Sequence, residues 1–123
     1  MPQSLRRWFV VHFFADLLFA APLFVAPGPF LAALGWKCVD PVATRLVAAA
    51  LFGIGIQSWL GRNEAALTFK AMLNLKIIWS STATLGLAVS LFQGAPPLTW
   101  GFLAIFGGFC GVWSYYRIRL NAA

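Results

Sequence analysis

Four long apolar runs follow one another along the chain, at residues 5–24, 42–60, 67–92 and 98–116, each closed by polar or turn-forming residues. None alternates with the period of two that a half-buried strand shows, and each approaches the roughly 20 apolar residues that cross a bilayer as a helix. The first run, LRRWFVVHFFADLLFAAPLF, is aromatic and aliphatic nearly throughout, yet carries His12 and Asp16. It ends near Pro22, and Pro27-Gly28-Pro29 predicts a turn with no helix in it. The apolar stretch 30–36 is too short to span and predicts a short interfacial helix, with Trp36 and Lys37 as anchors.

Asp40-Pro41 reads as an N-cap followed by a proline at the first helical position, opening the second run, with Gly61 as its stop. Ala49, Gly53 and Gln57 recur every four residues and predict a small-residue stripe that lets another helix approach. The third run is the most polar. Its Ser80, Ser81 and Thr82 are expected to donate back to helix carbonyls, and Lys70 near its start can snorkel to the surface. The fourth run holds Gly107 and Gly111 in a GxxxG pair, then an aromatic belt of Trp113, Tyr115 and Tyr116 before Arg117 and Arg119. The pattern predicts an all-α fold: one four-transmembrane-helix bundle with a short interfacial helix between helices one and two.

Composition sharpens this. Hydrophobic residues make up 61% of the 123 and charged residues 10%, against about 25% charged in soluble domains. A mean hydropathy of +0.82 is more apolar surface than a soluble core can hide. The net charge of +6 does not point to nucleic acid, because the basic residues sit singly or in pairs at the ends of apolar runs. Cys38 and Cys110 are too far apart for a CxxC motif and too few for a disulfide scaffold. The first run exceeds a signal-peptide core and is read as a retained span. Arg6, Arg7, Arg62, Lys70, Arg117 and Arg119 fall on one side, Lys37 and Arg45 toward the other. This bias predicts cytoplasmic termini in a prokaryotic inner membrane.

The candidate chemistry lies inside the bilayer. Asp16 is about 13 Å past Arg7 by helical rise, and Lys76 about 14 Å past residue 67. An acid at that depth costs on the order of 2.5–3.5 kcal/mol and calls for a partner. The matching depths predict an Asp16–Lys76 ion pair, with His12, one turn from Asp16, and Asn74 as hydrogen-bond neighbours. Two readings follow. In one, the pair is interior glue that fixes helix order; in the other, His12, Asp16 and Lys76 line a cavity for a proton, an ion or a headgroup. Arg45, one turn into the second run, either caps or snorkels, or clamps an anionic headgroup. His12 is the only histidine and has no second ligand opposite it, so haem or pigment ligation is disfavoured and no cofactor is expected. No zinc or iron–sulfur ligand set and no catalytic motif is visible.

The run Asp40-Pro41-Val42-Ala43-Thr44-Arg45 through Gly53-Ile54-Gly55 resembles the second-helix pattern of small DoxX-like four-helix membrane proteins, in which a D-P-x-x-x-R run follows an interfacial segment. That resemblance implies four spans with inside termini and assigns no activity. The chain is also similar in size to small multidrug-resistance transporters, whose essential acid sits in the first helix, where Asp16 would stand. The reading carried forward is a non-enzymatic integral-membrane subunit, in contact with lipid and with another membrane protein or a second copy through Gly107 and Gly111. Its alternative is a small proton-coupled carrier.

Overall fold

The computed structural model describes residues 2–122, which form five helices and no strand. These are α1 (Gln3–Val25), α2 (Pro27–Ala33), α3 (Pro41–Leu60), α4 (Ala66–Phe92) and α5 (Thr99–Ala122). The bounds of the four long helices follow the four apolar runs, and the segment between the first two departs from expectation. Pro22 does not end α1. It lies inside the helix, which runs on to Val25 and closes with the Ala26 N–H on the Pro22 carbonyl at 2.9 Å. A proline interior to a helix removes one hydrogen bond without ending it when packing holds the flanking turns.

The turn expected at 27–29 is also corrected. Pro27 opens α2, because its fixed φ suits the first helical position and its missing N–H has no helical partner there in any case. The short helix therefore lies three residues earlier than 30–36. Gly35, at φ 107°, then reverses the chain in the left-handed region. Asp40 caps α3 as its sequence predicts, accepting from the Val42 N–H at 2.9 Å and the Ala43 N–H at 3.4 Å.

The helices divide into two compact units, residues 2–64 with α1, α2 and α3, and residues from 65 onward with α4 and α5. In the first, α1 and α3 run antiparallel and two arginines tie their ends. Arg6, near the start of α1, donates to the Arg62 carbonyl at 2.7 Å and the Glu64 carbonyl at 3.3 Å, just beyond α3. Arg45, near the start of α3, donates from Nε to the Phe24 carbonyl at 3.0 Å, in the last turn of α1. Ring pairs Phe13–Trp59 and Phe24–Phe52 lie between these clasps. In the second unit the partners of α4 descend along α5 as α4 ascends: Asn74 with Arg117, Lys76 with Trp113, Trp79 with Phe106. That order makes α4 and α5 antiparallel.

Three helices, α1, α3 and α4, are long and apolar enough to cross a membrane, rather than the expected four. α5 has the length, but its composition is diluted by Gly101, Gly107, Gly108 and Gly111 and by Trp100, Trp113, Tyr115 and Tyr116. Of these aromatics the exposed Trp100 and Tyr115 pair an apolar ring with a polar N–H or O–H, a combination suited to the membrane–water boundary. Large apolar side chains stand outward on every long helix, among them Leu18, Leu46, Ile78, Leu85 and Ile118. A surface of this kind belongs in hydrocarbon, and the chain is a helical membrane protein.

Candidate functional site

The buried stripe of α1 is Leu5, Phe9, His12, Asp16, Ala20 and Leu23, spaced by threes and fours as one helix face requires. The two polar members are 3% and 6% exposed. His12 Nε2 lies 3.2 Å from Asp16 Oδ1, the pairing that four-residue spacing permits within a helix. The other carboxylate oxygen, Oδ2, is buried and has no hydrogen-bond partner among the described residues. Leaving a buried carboxylate oxygen unsatisfied costs about 1–3 kcal/mol or more, so such an atom in an ordered fold asks for an explanation.

Across from Asp16 stands Gly55 of α3. A Cβ built there would lie 2.8 Å from the Asp16 Cβ and 3.4 Å from Oδ2, closer than a side chain can sit without something moving. Glycine therefore brings the α3 backbone directly against the acid. The buried face of α3 is Ala48, Leu51, Gly55 and Ser58, and the Ser58 hydroxyl donates to the Ile54 carbonyl at 2.7 Å. This replaces the expected stripe: Ala49, Gly53 and Gln57 are exposed, and a Cβ at Gly53 would meet nothing within 4 Å. The four-residue interval was real, but the face that packs lies one residue away from it.

Arg45 donates to a carbonyl in the last turn of α1. The last carbonyls of a helix lack helical donors, and a guanidinium satisfies one of them at Phe24 while also suiting the negative end of the helix dipole. The nearby Asp40 carboxylate takes its hydrogen bonds from the α3 backbone.

In the second unit Lys76 is 2% exposed, with Nζ 4.8 Å from the centroid of the Trp113 ring, a cation–π contact in a buried setting. Asn74, two residues earlier, is exposed, and its Oδ1 accepts from Arg117 Nε at 2.8 Å; Arg117 also donates to Asn121. The hydroxyls of α4 turn inward to their own helix: Ser80 bonds the Lys76 carbonyl at 2.7 Å, Ser81 the Ile77 carbonyl at 2.6 Å and Thr82 the Ile78 carbonyl at 2.7 Å. Gly107 and Gly111 border an open groove of about 460 Å³ between α4 and α5, lined also by Ser81, Thr84, Cys110 and Ser114. A Cβ on Gly107 would lie 4.0 Å from Thr84 Cγ2, and one on Gly111 would meet nothing within 4 Å.

The structure thus joins His12 to Asp16 in one unit and sets Lys76 against Trp113 in the other. The residue missed from the sequence is Gly55. It lies seven residues after Ala48, and so on the face that the structure buries, whereas Gly53 lies a quarter-turn or more away. Comparison with known protein families, with curated proteins and with solved structures finds no match for this chain.

Proposed function

We propose that the protein is a small, non-enzymatic integral-membrane subunit with four spans, α5 included. Its termini face the cytoplasm of a prokaryotic inner membrane, and it assembles through the α4–α5 groove, in the first instance with a second copy of itself. The observation that carries this reading is the groove at Gly107 and Gly111, where small residues leave the α5 backbone open to close approach. A two-fold contact uses the same patch on both copies, and a glycine-floored groove can meet its own image. Cys110 lines the groove and supplies the test. Oxidation of native membranes is expected to cross-link two copies through Cys110, and Gly107→Leu or Gly111→Leu is expected to reduce the yield at least about tenfold, as a loss of about 1.4 kcal/mol would. A wild-type chain that stays monomeric, or leucine variants that cross-link as before, would overturn the proposal.

A second reading, a small proton-coupled carrier using His12, Asp16 and Lys76, is favoured by one observation, the buried and unpartnered Oδ2 of Asp16. Here the pairing of Asp16 with Lys76 expected from helical depth is decisive. Detergent stability of Asp16→Asn, Lys76→Met and the double variant forms a coupling cycle. Strong coupling, with the double variant near wild type, would make the pair structural and favour the subunit. Little coupling, with both single variants folded, would favour the carrier.

A further inference from the structure

We propose that His12, Asp16 and the bare backbone of Gly55 form a proton-binding site, in which one proton sits between His12 Nε2 and Asp16 Oδ1 and a second is taken up on Asp16 Oδ2. The inference deepens the carrier reading and rests on it for its biological use, though not for its chemistry.

The dyad is built as a place for protons. His12 and Asp16 are both more than nine-tenths buried and 3.2 Å apart. With one proton between them they are neutral, either as imidazolium and carboxylate or as imidazole and carboxylic acid. Losing that proton would leave the pair with a single negative charge. The oxygen still able to accept is Oδ2, and the wall it meets is α3 at Gly55. That wall offers no further ligands. Ala48 and Leu51 are apolar, and the Ser58 hydroxyl donates its proton to the Ile54 carbonyl.

A metal cation would need several oxygen or nitrogen donors, six to eight for calcium, and no group of three or more His, Cys, Asp or Glu among the described residues could supply them. A proton needs one. Its uptake on Oδ2 converts the oxygen from an unsatisfied acceptor into a hydroxyl and carries the dyad from neutral to a single positive charge.

The charged groups around the site are few. From α3, Arg45 is held at the Phe24 carbonyl, and Arg62 beyond its end donates to the Trp59 carbonyl; α2 contributes none. On α1 itself Arg6 is engaged with the Arg62 and Glu64 carbonyls.

The chain is suited to a direct measurement, because His12 is its single histidine and Asp16 and Asp40 are its only aspartates. The full chain in detergent micelles, labelled with ¹³C at the aspartate carboxyls and ¹⁵N in the imidazole, is titrated by NMR, with Asp40→Asn to assign the two carboxyl signals. The Asp16 and His12 signals are expected to move together through two shared midpoints, the mark of a coupled pair. His12→Gln should displace the Asp16 midpoint by about one pH unit or more, and Gly55→Ala should displace it as well. The wild-type titration decides even where a variant fails to fold: an Asp16 step in which His12 takes no part overturns the site. So does an Asp16 midpoint moved by Lys76→Met and left in place by His12→Gln. A shared titration without pH-driven flux in proteoliposomes would retire the carrier reading and leave the site standing.

Discussion

Two glycine-bearing helix contacts in this protein behave in opposite ways. Gly55 of α3 is pressed against Asp16 so closely that a methyl group would sit 2.8 Å from its Cβ, while Gly111 of α5 faces open space and Gly107 reaches only Thr84, at 4.0 Å. The recognisable motif is the second, a GxxxG pair, and the tight contact is the first, with no motif around it. Glycine permits close approach but does not cause it. What decides is which glycine lies on the face that the helix buries. On α3 that face carries Ala48, Leu51, Gly55 and Ser58; on α5 the buried residues are Thr99, Trp113, Tyr116 and Leu120, and the glycines fall elsewhere. The two units are accordingly held by different means. α1 and α3 are clasped at both ends by Arg6 and Arg45 and meet at the acid between; α4 and α5 are joined by Lys76 over Trp113, Arg117 on Asn74 and the Trp79–Phe106 pair.

The largest expected effect is the one that breaks the tight contact. Gly55→Ala places its methyl group against Asp16 Cβ and 3.1 Å from Leu17 Cδ1. The leucine tip can rotate away, but the Asp16 Cβ is fixed to the α1 backbone, so the helices must separate or shift. Overpacking of this kind costs about 1–3 kcal/mol, against a gain of up to about 1 kcal/mol from the better helix propensity of alanine. A net loss of stability is expected in reversible detergent unfolding followed by circular dichroism. The same variant at wild-type stability would mean that the α1–α3 contact is looser than its geometry.

Much of this was legible in the residues. The four runs became α1, α3, α4 and α5 within two residues at each end, except that α5 runs six residues past 116 to Ala122, because apolar length and the Asp40-Pro41 cap are local signals that survive packing. The inward-bonded serines and Thr82 of α4 were legible for the same reason, since their hydroxyls reach carbonyls of their own helix. The proline-rich turn was misjudged because Pro27 and Pro29 were weighed as breakers, when the first turn of a helix tolerates both. Length and composition alone mark three of these four helices as candidate spans, since the glycines, tryptophans and tyrosines of α5 are less apolar than the leucines of α1. The site was half legible. His12 beside Asp16 follows from a spacing of four, and Gly55 depended on knowing which face of α3 is buried, which a stripe of small residues alone could not say.

The smallest expected effect sharpens the comparison from the other side. At Gly111 an alanine has open space around it, as at Gly108, so no clash opposes the substitution within the chain. Replacing a helical glycine also reduces the backbone freedom lost on folding, which alone favours alanine by about 0.5–1 kcal/mol. Gly111→Ala is therefore expected to leave the monomer unchanged or slightly more stable in the same unfolding measurement, opposite in sign to Gly55→Ala. Its effect should appear only where a second copy occupies the groove. A methyl group is a modest intrusion there, so Cys110 cross-linking is expected to fall by less than with Gly111→Leu. If Gly111→Ala instead destabilises the isolated chain, α5 packs its glycine face within the monomer, and the groove is not the assembly surface proposed for it.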